Sequence, residues 1–270
     1  MRKFIFIDID GTLTDKYGSV PESAAKAISH ARSKGHKVFI ATGRSRCEIF
    51  DYVLNVGFDG IVGAAGGYVE VEGKVIESCT MTKEESDRII NILQKNNIKF
   101  SAEADDTVYN NAETQMFLKD VFTSMGRDVE TDLFYNMMTR VENFENIDGI
   151  NKILYYDTKI SVDEMKKVIG SKYTVIPYTV SAFGRNSGEI NIKGITKARG
   201  IEKVIEYYGG NLKDTAAIGD GENDVEMLNF VNTGVAMGNS CQNVLKCADF
   251  VTDNVDRDGL SKALCYITKE

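Results

Sequence analysis

The sequence predicts an α/β fold: a doubly wound, mainly parallel sheet core that carries an inserted α+β domain. Three observations lead there. Phe4-Ile5-Phe6-Ile7 is an apolar run without alternation, the pattern of a strand buried on both faces of a sheet. Val38-Phe39-Ile40-Ala41 and Thr215-Ala216-Ala217-Ile218 repeat the pattern, and helical periodicities lie between such runs, as in βαβ units. Between about residues 82 and 187 the rhythm changes to short strand-like pieces mixed with separately capped helices.

In chain order, Phe4 to Ile7 forms the first strand. Pro21-Glu22-Ser23 opens a helix whose stripe is Ala24, Ala27, Ile28 and Ala31, and Gly35 ends it. The second strand ends at Thr42-Gly43-Arg44, and the following helix buries Ile49, Phe50, Val53 and Leu54. Ile61-Val62 is a third strand; it runs into Gly63-Ala64-Ala65-Gly66-Gly67 and then a strand pair around the Glu72-Gly73 turn. This is the start of a Rossmann-like arrangement. Thr82 with Glu85, and Ser161 with Glu164, read as capping boxes for two helices of the insertion. Its strands are expected at 100–103, 107–109, 153–156, 173–176 and 179–183, with a further helix over 113–125. The core is expected to comprise residues 1–81 and 188–270, resuming with Glu189-Ile190-Asn191-Ile192 as a strand of the main sheet. A helix from Thr196 stops at Gly209-Gly210, Thr215 to Ile218 is a buried strand, and the last strands are Val235-Ala236-Met237-Gly238 and Phe250-Val251-Thr252.

Composition narrows the function. With 270 residues, 43% of them hydrophobic and 27% charged, the chain is long enough for a substantial core and for two domains. A net charge of −8 argues against nucleic acid as the main partner. No apolar run is long enough to span a bilayer, and the run after Met1 breaks at Asp8, short of a secretory signal. Cys47, Cys79, Cys241, Cys247 and Cys265 are odd in number and lack metal-like spacing, so they read as thiols of a reducing, cytoplasmic compartment. His30 and His36 read as surface residues.

The candidate chemistry sits at strand ends, where open α/β sheets bind their ligands. Asp8 and Asp10 stand two apart at the end of the first strand and can point to one side, and Gly11 lets the chain leave sharply. Two carboxylates so close are suited to a hard divalent cation, most simply Mg2+. Thr42 ends the second strand, Asp220 and Asp224 follow a late one, and Lys197 lies in the first turn of a helix. A hydroxyl and an ammonium can hold phosphoryl oxygens while one carboxylate serves as nucleophile and another as acid and base.

In this order the motifs resemble the haloacid dehalogenase superfamily of phosphohydrolases. Asp8-Ile9-Asp10-Gly11-Thr12 resembles its first motif, Thr42 in Ala41-Thr42-Gly43-Arg44 the second, Lys197 the third, and Gly219-Asp220-Gly221-Glu222-Asn223-Asp224 the fourth, in the form typical of Cof-type members. The insertion at 82–187 is similar to a class IIB cap, and Gly234-Val235-Ala236-Met237-Gly238-Asn239 to the Cof-type tail. One departure is Ala65-Gly66-Gly67, where relatives often carry Asn-Gly. The resemblance implies a Mg2+-dependent phosphatase of small phosphomonoesters, sugar phosphates or phosphorylated cofactors, working through an aspartyl-phosphate. It implies Asp8 as nucleophile and Asp10 as acid/base. The metal would be held by Asp8, the Asp10 main-chain carbonyl and Asp220, with Asp224 acting through water or by orienting Lys197. Thr42, Gly43, Lys197 and Asn223 would contact phosphate or substrate, with Asn254 a weaker candidate. Tyr109, Tyr155, Tyr178 and Arg185 are candidates to line the cap entrance. The alternatives are a phosphomutase of the phosphomannomutase type and a non-catalytic phosphate-binding regulator. The expected partners are a small-molecule phosphate ester, with no nucleic acid and no membrane, and a monomer or homodimer.

Overall fold

A computed structural model describes residues 2–178 and 180–269. Contacts divide the chain into two compact units, one of Met1–Arg44, Ile49–Ser78 and Ile195–Glu270, the other of Ser45–Glu48 and Cys79–Gly194. The first unit begins with β1 (Phe4–Ile7), α1 (Glu22–Ser33), β2 (Lys37–Ala41), α2 (Asp51–Leu54), β3 (Gly60–Gly63), β4 (Tyr68–Val71) and β5 (Lys74–Ser78). The second unit follows with α3 (Lys83–Lys95), β6 (Lys99–Glu103), β7 (Val108–Asn110), α4 (Ala112–Ser124), α5 (Leu133–Asn136), β8 (Met138–Arg140), β9 (Lys152–Tyr156), α6 (Val162–Ile169), β10 (Tyr173–Pro177) and β11 (Gly188–Ile192). The chain then returns to the first unit through α7 (Lys197–Tyr208), β12 (Thr215–Gly219), α8 (Val225–Phe230), β13 (Thr233–Ala236), α9 (Gln242–Cys247), β14 (Phe250–Val251) and α10 (Gly259–Thr268).

The sheet of the first unit runs β14-β13-β12-β1-β2-β3-β4-β5 among the described residues. Every pair from β14 to β3 is parallel, and only the β3–β4 and β4–β5 pairs are antiparallel. Strand order reverses around β1, between β12 on one side and β2 on the other, which is the switch point where such sheets open a crevice. The unalternating β1 explains itself. Ile5 and Ile7 point into the core made with α1 and α10, and Phe4 and Phe6 into the opposite core made with α7 and α8. Phe6 stacks on Phe39 at 5.1 Å between ring centroids. Each such side chain removed from water contributes roughly 1.5–3 kcal/mol, so the strand that carries Asp8 is firmly held.

The second unit has its own sheet, β10-β11-β9-β6-β7-β8, antiparallel except for the β7–β8 pair. Its main core joins α3 and α6 to Phe100, Ile153, Tyr155 and Ile190. Both expected capping boxes are present, Thr82 with Glu85 and Ser161 with Glu164.

Four sequence readings need correction. The strand at 189–192 belongs to this second sheet, antiparallel to β9 and β10, rather than to the main sheet. Its alternation carries the reason: Ile190 is fully buried while Glu189 and Asn191 are only half-buried, the pattern of a strand with one dry face. Ser181–Phe183 is a single tight helical turn rather than a strand, and Thr179, the expected start of that strand, lies outside the described residues. The long helix expected after β2 is only the turn Arg46–Glu48 and the short α2, because Ser45–Glu48 is tied within the second unit: the Ser45 hydroxyl donates to Glu103 Oε2 at 2.6 Å and the Cys47 thiol to the Ala104 carbonyl at 3.3 Å. Tyr155 is fully buried in the second unit's apolar core and lines no entrance. Among the described residues no helix is long and apolar enough to cross a membrane.

Candidate active site

Every expected catalytic or phosphate-binding side chain falls in the first unit. The Asp8 amide donates to Ile218 O at 3.0 Å, so β1 and β12 are still paired where the acid leaves the sheet. The chain then folds back tightly, with Leu13 N donating to Asp8 O and Thr14 N to Ile9 O. Gly11 is required in this turn. Its φ is +85°, and a Cβ there would lie 2.4 Å from Asp220 Oδ2.

Lys197 is the hub. Thr196 caps α7 by accepting from Arg199 N at 3.2 Å, which makes Lys197 the first helical residue. The helix start is pressed onto the turn after β3, where a Cβ on Gly66 would come 1.9 Å from Thr196 O. The Lys197 ammonium lies 2.6 Å from Asp8 Oδ1 and 2.6 Å from Asp224 Oδ1, with all three residues buried. The second Asp224 oxygen accepts from the amides of Asp220 at 3.0 Å and Gly221 at 2.9 Å. Asp224 thus spends both oxygens on orienting Lys197 and bracing the loop. Asp220 accepts from the Thr12 hydroxyl at 3.0 Å and from Asn239 Nδ2 at 3.1 Å.

Asp10 is mostly exposed. The forked guanidinium of Arg44 grips both of its carboxylate oxygens, Nε at 2.9 Å and Nη2 at the other. Thr42 is buried, and its Oγ1 accepts from Arg44 N at 3.2 Å. The Asn223 amide lies beside Gly43, 3.5 Å from where a Cβ would stand. Asn254 is a turn residue whose carbonyl accepts from Arg257 and Gly259. Asn239 reaches the Asp220 carboxylate instead. It lies in the loop just past the end of β13 (Thr233–Ala236), the neighbour of β12, so the strand-end logic that found Asp220 extends to it.

Burial governs the charges. It pushes Asp8 up to about 8, with Asp224 adding to the shift and Lys197 opposing it. It pushes Asp220 up to about 6 against the Thr12 hydrogen bond. Burial also works against the Lys197 ammonium, but Asp224 and Asp8 outweigh it and hold the group above its ordinary range. Three carboxylates with oxygens within 4.8 Å of one another face one ammonium. That excess of buried negative charge fits a divalent, oxygen-seeking cation. Suitable donors are present: Asp8 Oδ2 and the Asp10 main-chain carbonyl accept no hydrogen bond from the described residues.

The sequence profile of the haloacid dehalogenase-like hydrolases matches residues 5–264. The chain belongs to this family. It is an enzyme, a phosphatase of the haloacid dehalogenase type with the Cof-type motifs. Similar proteins cover its whole length. The YkrA protein of Bacillus subtilis (strain 168) is 31% identical over 265 residues, 97% of this chain and 96% of that protein. The 5-amino-6-(5-phospho-D-ribitylamino)uracil phosphatase YcsE of the same organism is 26% identical, covering 97% of this chain and 94% of its own. The solved structure of a sugar phosphatase of subclass IIB aligns at a TM-score of 0.77 with 28% identity, over 98% of this chain and 99% of that one.

Proposed function

We propose that this haloacid dehalogenase-type phosphatase hydrolyses small phosphomonoesters in a Mg2+-dependent reaction with Asp8 as nucleophile. The observation that carries the reading is the buried Asp8–Lys197–Asp224 arrangement, 2.6 Å on each side, beside Asp220 at the switch point of the sheet. Lys197 orients the Asp8 carboxylate, and one of its oxygens attacks phosphorus, forming an aspartyl-phosphate as the bond to the leaving oxygen breaks. The Thr42 hydroxyl and Lys197 hold phosphoryl oxygens. Asp10, exposed at the mouth, gives a proton to the leaving alcohol and then takes one from the water that hydrolyses the intermediate. Asp8, the Asp10 carbonyl and Asp220 would hold Mg2+, which supplies charge neutralisation of the phosphoryl group.

The substrate class we favour is a phosphate on a polyhydroxyl chain or ring, the chemistry shared by the ribityl and sugar substrates that the names of the two relatives print. The enzyme is read as cytoplasmic, in keeping with its odd number of cysteines, five, without metal-like spacing.

The test is phosphate release from p-nitrophenyl phosphate with Mg2+ or with EDTA, in the native chain and in Asp8→Asn. Release that needs Mg2+ and disappears in the variant supports the reading. Release that persists in Asp8→Asn removes Asp8 from the nucleophile's place.

A further inference from the structure

Asn239 makes three hydrogen bonds that tie separate parts of the first unit to the acidic cluster. Its Nδ2 donates to the Gly11 carbonyl at 2.8 Å and to Asp220 Oδ2 at 3.1 Å, and its Oδ1 accepts from Val255 N at 3.1 Å. A backbone carbonyl can only accept and a backbone amide can only donate, so the two main-chain partners fix which end of the side-chain amide is which. The donor end therefore faces Asp220. Thr12 donates to the other Asp220 oxygen at 3.0 Å, so the carboxylate plane is held from both sides. The Gly11 turn has no room to compensate, because a Cβ there would lie 2.4 Å from Asp220 Oδ2.

We propose that Asn239 is a positioning residue for the cation: it sets the rotamer of Asp220 and, through the Gly11 carbonyl, the turn that carries Asp10. The inference rests on the Mg2+ reading of Asp220 above. Residues that orient a metal ligand typically account for about 10–100-fold in metal affinity. Asn239 is exposed, so its truncation opens no cavity in a core.

The experiment titrates MgCl2 into the native chain and into Asn239→Ala without substrate, following the melting temperature and the heat of binding. Turnover of p-nitrophenyl phosphate is then measured against Mg2+ concentration. The expected result is a Mg2+ midpoint raised about 10–100-fold in the variant, with turnover recovering at high Mg2+. A merely structural role would lower the melting temperature without Mg2+ and leave the midpoint in place. An unchanged midpoint, or a loss of turnover that Mg2+ does not restore, overturns the proposal for Asn239. A native chain that shows no response to Mg2+ at all overturns the metal reading itself, and the assignment of Asn239 with it.

Discussion

Replacing Lys197 with methionine tests the site through stability alone. Methionine keeps much of the volume and removes the ammonium. Asp8 and Asp224, both buried and each 2.6 Å from that ammonium, are then left facing each other. Removing one partner of a buried ion pair costs about 3–5 kcal/mol, because the remaining charge stays desolvated. At roughly 2–4 °C per kcal/mol for a unit of this size, the melting temperature falls by roughly 6–20 °C. The loss depends on pH in a definite direction. Burial already holds Asp8 up to about 8, and without Lys197 it rises further. A carboxyl raised in the folded state contributes stability that is complete below its unfolded value, about 3.9, and is lost as pH rises through the folded value. In the native chain Asp8 begins to ionise only near pH 8, so the deficit of Lys197→Met is expected to be larger at pH 8.5 than at pH 5. Urea unfolding in EDTA at the two pH values measures it. A deficit below about 1 kcal/mol at pH 8.5, the scale of an exposed pair, or one equal at both pH values, would refute the reasoning.

Other expectations follow from single features. Gly11→Ala places a side chain at φ +85° and 2.4 Å from Asp220 Oδ2; a cost of about 1–3 kcal/mol and loss of Mg2+-dependent turnover are expected, checked by thermal melting and phosphate release. Ser161→Ala removes one capping box of the second unit and is expected to cost about 1 kcal/mol in unfolding, with Mg2+ affinity of the first unit unchanged. Glu103 is pushed up to about 8, chiefly by burial, so the native chain should lose stability relative to Glu103→Gln as pH rises from 6 to 9; a constant difference across that range would contradict the shift.

What could be read in advance follows from the range of the forces involved. The two-sided burial of Phe4 to Ile7 is local, and so is the placing of Asp8, Thr42 and Asp220 at strand ends; the structure gathers these around one switch point. The two capping boxes are local as well. Lys197 is the opposite case. By itself it reads as a solvated lysine, since nothing within a few residues marks it, and its partner Asp8 is 189 positions away. Only the order of the motifs brought it into the site. For Gly188–Ile192, position after the insertion points to the main sheet while its polar–apolar alternation is that of a strand with one dry face, and the fold follows the alternation. Ser45 carries no local signature, and Asn239 is marked only by its place after a late strand. Their roles arise from Glu103 and Asp220, residues that only the folded chain brings beside them.

The central claim is that Asp8 takes the phosphoryl group. On the proposed role of Asp10, Asp10→Asn is expected to slow hydrolysis of the intermediate, so that a single turnover with labelled substrate, quenched in acid and mapped by peptide, should capture it. The account predicts label on the peptide that carries Asp8 and none in the Asp8→Asn chain. Label on another residue, or steady turnover in which no peptide is ever labelled, would contradict it.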